Sequence, residues 1–163
     1  MRAAIITIST SLSEGRGEDE SGPALAEWAR DIGAEVAATE IVPDERPKIE
    51  WALRHYADSG GCDLVLTTGG TGFAASDVTP EATRAVIDRE APGIAEAMRD
   101  ASRAYTPNWM LSRAVAGIRR SALIVNFPGS PRSIRQVGDE IGAAIPHAVA
   151  LLVGQPTGHD RGR

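Results

Sequence analysis

Three short runs of the chain are apolar almost without interruption: Ala3–Ile8 (AAIITI), Asp63–Thr68 (DLVLTT) and Ala122–Phe127 (ALIVNF). Each falls far short of the roughly 18 apolar residues of a membrane span. Rich in Ile, Val and Leu, they read as strands buried on both faces of a parallel sheet. Such a sheet requires helices on both sides, and the intervening sequence supplies them.

Leu25, Trp28, Ala29 and Ile32 follow the i, i+3, i+4, i+7 rule, with Pro23 near the start and Gly33 as the stop. Ile49, Ala52, Leu53 and Tyr56 repeat it between Pro47 and Gly60. Thr79–Pro80 predicts an N-cap and a first-turn proline opening a helix to about Glu90, and 93–103 carries Ile94, Ala97, Met98 and Ala101 on one face. Thr106–Pro107 has the same start signal. After Ser130–Pro131 one long helix is expected through Ile134, Val137, Ile141 and Ile145, kinked or restarted at Pro146. Val36–Val42 reads as a weaker strand, and Val115–Arg119 as an antiparallel partner of the run beginning at Ala122. The fold class is therefore α/β: a three-layer sandwich around a mostly parallel sheet with one antiparallel edge strand. At 163 residues the chain is expected to hold one domain over residues 1–154, followed by a flexible polar tail at 155–163.

Composition narrows the function classes. With 17 Lys plus Arg against 22 Asp plus Glu, the net charge of −5 argues against a general nucleic-acid or anionic-membrane binder. A local electropositive cradle for a small anion remains compatible with it. The single Cys62 excludes an intrachain disulfide and a cysteine metal cluster, and a reducing cytoplasm is the expected setting. The first apolar run is too short for a signal-peptide core and no cleavage site follows it. His55, His147 and His159 are scattered without zinc spacing.

In an open α/β sheet, ligands bind beyond the carboxyl ends of the strands, so the loops after Ile8, Val42, Thr68 and Phe127 are the informative ones. Thr67–Thr68–Gly69–Gly70–Thr71–Gly72 places three glycines after a buried strand. Without Cβ atoms its backbone N–H groups can converge on phosphate oxygens, and Thr68 and Thr71 add hydroxyls. It lacks the lysine of a Walker loop and the spacing of a dinucleotide fingerprint. Asp77, just before Thr79–Pro80, is either a helix-terminal charge or a Mg²⁺ ligand over bound phosphates. Asp44, in Val42–Pro43–Asp44–Glu45, is either a helix N-cap or a second carboxylate at the same sheet edge. Asn126–Phe127–Pro128–Gly129–Ser130–Pro131 forms a proline-stiffened wall leading into a helix N-terminus able to receive an anion. The stretch Ser9–Gly22 reads as a long irregular loop, of the kind that is often functional, with its acidity keeping it solvated.

These segments together resemble a known family. Asp63–Thr83 (DLVLTTGGTGFAASDVTPEAT) is similar to the molybdopterin-binding domain shared by the bacterial MogA and MoaB proteins and the plant and gephyrin G domains. The likeness extends to IVPDE at Ile41–Glu45, APG at Ala91–Gly93, TPNWMLSR at Thr106–Arg113, GIR at Gly117–Arg119, LIVNFPGSP at Leu123–Pro131 and IPHAVALL at Ile145–Leu152.

The resemblance implies a cytoplasmic protein of molybdenum cofactor biosynthesis, a homotrimer or hexamer. The implied reaction is adenylyl transfer from ATP to molybdopterin with Mg²⁺, releasing pyrophosphate. It places the two catalytic, Mg²⁺-holding carboxylates at Asp44 and Asp77. The substrate phosphates fall at Thr68, Gly69, Gly70, Thr71 and Gly72, with Ser112, Pro128, Gly129 and Ser130 nearby. Two positions depart from the family pattern: Thr10 stands where Asp is common and Ser76 where Arg is common, with Arg113, Arg132 or Arg135 as replacement guanidinium groups. The tail after Leu152 has no firm correspondence with that pattern. These departures keep a second expectation open, a non-catalytic molybdopterin-binding protein of the MoaB type.

Overall fold

The computed structural model describes residues 1–155. In chain order the elements are β1 (Arg2–Ile8), α1 (Thr10–Ser13), α2 (Ser21–Asp31), β2 (Glu35–Val42), α3 (Arg46–Arg54), β3 (Leu64–Thr68), α4 (Thr79–Val86), β4 (Arg89–Glu90), α5 (Pro92–Ser102), β5 (Ala116–Arg119), β6 (Ala122–Phe127), α6 (Pro131–Ile141) and α7 (Ala144–Leu152). The six strands form one sheet in the order β2-β1-β3-β6-β5-β4. β2, β1, β3 and β6 run parallel, while β5 and β4 run antiparallel.

The three apolar runs became the central strands, and β3 and β6 are buried at every position. One face of the sheet packs on α2, α5, α6 and α7 through Ile5, Leu66, Val125, Phe127, Trp28, Ile134 and Ile145. The other packs on α3 and α4 through Ile6, Ile8, Val65, Ile124, Ile49, Leu53 and Val86. Trp28 and Phe127 lie with ring centroids 4.9 Å apart. Gly138 permits that packing, because a Cβ there would stand 2.5 Å from Trp28 Nε1.

Five local expectations are corrected. The helix begun at Thr79 stops at Val86 instead of Glu90, because Ile87 is extended and Asp88 N–H donates to Ile118 O at 2.7 Å. Arg89 and Glu90 then pair with β5, so the antiparallel edge holds a further two-residue strand. Thr106–Pro107 opens only a single 3-10 turn, Trp109–Leu111, since the Thr106 hydroxyl takes the Asn108 N–H at 3.1 Å and turns the chain. The long helix after Ser130 divides at Gly142–Ala143, and Pro146 sits inside the first turn of α7, where a missing N–H costs little. The helix from Pro47 keeps α geometry only to Arg54 and continues as a π-helical turn, His55–Ser59.

The fifth correction is the Ser9–Gly22 loop. It contains α1, and its last two residues already belong to α2. Asp19 ends it: one carboxylate oxygen accepts Gly22 N–H at 2.9 Å and Ser21 Oγ at 3.2 Å, and the other accepts Thr7 Oγ1 at 2.7 Å. Of the expected tail, Gln155 donates its N–H to Ala150 O at 2.9 Å. The rest of the tail, including His159, lies outside the described residues.

Candidate active site

The carboxyl ends of β1, β2, β3 and β6 are adjacent in the sheet, so the four loops meet above one edge. Ser9 N–H donates to Val42 O at 2.9 Å, splicing the ends of β1 and β2. Thr68 Oγ1 donates to Pro128 O at 2.7 Å and Gly69 N–H to Phe127 O at 3.3 Å, splicing β3 to β6. The Thr68 hydroxyl proton is therefore committed to the scaffold instead of being offered to a ligand.

The glycines are required by close approach. Gly69 and Gly70 hold φ of +102° and +65°, which side-chain-bearing residues rarely adopt. A Cβ on Gly69 would collide with Ile8 O, and one on Gly70 would overlap Thr79 Oγ1. Gly129 backs onto the same loop, its Cβ position 3.3 Å from Gly69 Cα. Thr79 turns the loop carbonyls inward: its hydroxyl donates to Gly69 O at 3.0 Å and its N–H to Gly70 O at 3.1 Å. The N–H groups of Gly70, Thr71 and Gly72 have no acceptor among the described residues, and Thr71 is buried beside them. They are donors without a protein partner, the arrangement that receives an anion.

The two aspartates flank this loop. A Cβ on Gly70 would lie 3.4 Å from Asp44 Oδ1, and one on Gly72 would lie 2.8 Å from Asp77 Oδ2. Asp44 is not the N-cap of α3; Glu45 occupies that place. Its Oδ2 instead accepts Thr10 N–H at 2.7 Å and Thr10 Oγ1 at 3.0 Å. Asp77 Oδ2 accepts Ala74 N–H at 2.8 Å, and Val78 takes the cap position of α4 expected for Thr79. Among the described residues, Oδ1 of each aspartate accepts no hydrogen bond, and neither carboxylate forms an ion pair with Lys or Arg. Cation-binding capacity is thus left on both sides of the glycine loop.

Ser112 and Pro128 share a cavity of about 120 Å³ with Trp109, Asn108, Met98 and Ser133, beside the glycine loop. Ser130 caps α6 positionally without a side-chain bond. A larger groove of about 450 Å³ lies between β1, β2 and α2, lined by Thr7, Asp19 and Ile41, and contains none of the candidate residues. Of the three replacement guanidinium groups, Arg135 is paired with Asp31 at 2.5 Å and with Glu27 at 3.3 Å. Arg113 is bound to Glu81 and to the loop itself. Arg132, beside Ser130, makes no ion pair among the described residues.

Sequence patterns did not point to the roles of Thr10, Thr79 and Asn126. Asn126 is fully buried, and its amide nitrogen donates to Thr67 Oγ1 at 3.1 Å and Thr83 Oγ1 at 2.9 Å, tying β3, β6 and α4 together under the site. Its occurrence in an otherwise apolar strand, ALIVNF, was the available signal.

Residues 4–147 match the family described as a probable molybdopterin binding domain. The molybdopterin adenylyltransferase of Escherichia coli K12 is 43% identical over 169 residues, covering 94% of this chain and 86% of that protein. That of Helicobacter pylori J99 is 44% identical over 152 residues, covering 92% and 86%. The crystal structure of the molybdopterin biosynthesis enzyme MoaB from Thermus thermophilus superposes with a TM-score of 0.89 at 46% identity, covering 95% of this chain and 98% of that one. With its glycine loop, its flanking aspartates and these matches over most of its length, the chain belongs to the molybdopterin-binding domain family of molybdenum cofactor biosynthesis.

Proposed function

We propose that this protein is a molybdopterin adenylyltransferase: the terminal phosphate of molybdopterin attacks the α-phosphorus of ATP, a new P–O–P bond forms, and pyrophosphate leaves with the electrons of the broken bond. The observation that carries this reading is the glycine loop set between Asp44 and Asp77, with free N–H donors between two half-engaged carboxylates. Joining two polyphosphate groups requires their charges to be neutralised and their ends to be held in line. Gly70, Thr71 and Gly72 supply backbone donors, while Gly129 and Ser130 close the wall from β6. Ser112 and Pro128 face the adjoining cavity and suit the pterin end.

The donor set fits Mg²⁺. Among the described residues no group of three or more His, Cys, Asp or Glu side chains forms a metal site by itself. Mg²⁺ characteristically takes one or two carboxylates and completes its shell with substrate phosphates and water, and Oδ1 of Asp44 and of Asp77 are available for that. When bound it would offset phosphate charge. Asp44 and Asp77 orient the nucleotide, and no covalent nucleophile is called for.

The second reading, a binding protein without catalysis, is favoured by Thr10 and Ser76. Incubation with molybdopterin, ATP and Mg²⁺, followed by mass measurement of adenylyl-molybdopterin, separates the two. Product formation is expected; molybdopterin binding without product would replace the enzyme with the binding protein. A homotrimer or hexamer in the cytoplasm accompanies either reading, and sedimentation equilibrium measures the assembly. No helix of the described residues is long and apolar enough to cross a membrane.

A further inference from the structure

Arg113 grips both ends of the loop that carries Asp77. Its Nε donates to Gly72 O at 2.7 Å, and a terminal nitrogen donates to Asp77 O at 2.6 Å. Its own N–H donates to Thr71 O at 2.9 Å. The far side of the guanidinium is held by the Glu81 carboxylate on α4. The hydrogen bonds from Arg113 hold the Glu81 carboxyl below its usual range.

The segment between Gly72 and Val78 has no regular structure, and its internal bonds are Ala74 N–H to Asp77 Oδ2 and Asp77 N–H to Ala74 O. Arg113 enters β5 three residues later, so its backbone is anchored by the sheet. The fork thus transfers the rigidity of the sheet to a loop that has little of its own. Two carbonyls and a carboxylate match the divergent donors of guanidinium; an ammonium, with three donors around a point, cannot span them.

We propose that Arg113 is a positioning residue that sets the Asp77 carboxylate and the Gly72 amide against Asp44 without itself touching substrate. The inference rests on the adenylyltransferase reading for its consequence in turnover, but not for its structural content. It also assigns Arg113 a different task from that of a replacement phosphate contact, since its donors already point into the protein.

The test compares wild type with Arg113→Lys. In the absence of substrates, amide hydrogen exchange at Ala74 and Asp77 is expected to accelerate by about tenfold or more, matching the loss of charge-assisted hydrogen bonds, while β1, β3 and β6 keep their protection. Unchanged exchange at those two amides would overturn the proposal, whatever the activity. In the adenylylation assay the Mg²⁺ concentration for half-maximal rate is expected to rise by about tenfold, with the KM for molybdopterin within about threefold. A rate that falls only with the folded fraction, at unchanged Mg²⁺ dependence, would also overturn it. Wild type that forms no product defeats the enzyme reading alone, and the loop-holding role is then decided by exchange. Should Arg113→Lys fail to fold, Glu81→Gln leaves both carbonyl bonds but loosens the fork. The same acceleration at smaller size is expected there, and its absence overturns the proposal.

Discussion

Thr10 and Asp44 are joined by three hydrogen bonds across the ends of β1 and β2. Thr10 N–H and Oγ1 donate to Asp44 Oδ2 at 2.7 and 3.0 Å, and Asp44 N–H donates to Thr10 Oγ1 at 3.0 Å. This holds one carboxylate oxygen and leaves the other toward Gly70. Thr10→Val removes two of the three bonds at nearly constant volume. Loss of a hydrogen bond to a charged group weakens a site by about 1.5–3 kcal/mol, so kcat/KM is expected to fall by roughly tenfold to a hundredfold. Thr10→Ser, which keeps the hydroxyl, is expected to remain within a few-fold of wild type. Steady-state kinetics on both variants would reject the latch if valine and serine behaved alike.

Asp77→Asn preserves the acceptor for Ala74 N–H and so the shape of the loop. It removes the negative charge. Adenylyl transfer is expected to fall by at least about a hundredfold, the scale of losing one electrostatic contribution to a transition state. Molybdopterin binding, measured by fluorescence titration, is expected to change little. Equal losses in both would make Asp77 a shaping residue only.

Gly70→Ala places a Cβ at φ +65° and onto Thr79 Oγ1. Strain of this kind costs on the order of 1–3 kcal/mol, and relief would displace the loop from Asp44. Lower stability and weakened ATP binding are expected together. Gly93→Ala, in the first turn of α5 with open space around it, is the control: it should leave binding intact and raise stability by up to about 1 kcal/mol. Calorimetric melting and nucleotide titration check both.

Asp58 accepts two bonds from Arg119, at 2.9 and 2.5 Å, and lies 3.3 Å from Arg120, clamping the π-helical turn to the β5–β6 hairpin. The Arg119 hydrogen bonds hold its carboxyl below the usual range. Because the folded value is depressed, the contribution is complete above the unfolded pKa of about 3.9 and disappears as pH falls through the lower folded value. Asp58→Asn is therefore expected to lower stability by about 1 kcal/mol between neutrality and pH 5, with the difference shrinking below about pH 4. Denaturant melts across that range test the window; a difference that persisted in acid would assign the effect to packing.

Much of the site was legible because it lies in loops with marked composition. Three glycines after DLVLT, an aspartate before a Thr–Pro start and a proline-framed turn after ALIVNF each point to the same sheet edge once the strands are parallel. Local chemistry misled where a distant partner outcompeted it. Asp44 has the spacing of a helix cap, yet Thr10, 34 residues earlier, takes its carboxylate. Thr79 has the spacing of a cap, yet its hydroxyl goes back to Gly69. The helix from Thr79 would run to Glu90 on propensity alone, yet the open edge of β5 draws Arg89 and Glu90 into the sheet.

By itself the sequence determined the layered α/β class, the parallel centre and the four loops able to carry chemistry, because periodicity and turn chemistry are short-range properties written into neighbouring residues. Which oxygen of Asp44 remains free, that Thr68 serves the scaffold, and that Arg113 faces the loop instead of a ligand were decided only by the tertiary structure. Those are outcomes of hydrogen-bond competition between residues 10 to 60 positions apart, and no local pattern encodes which partner wins.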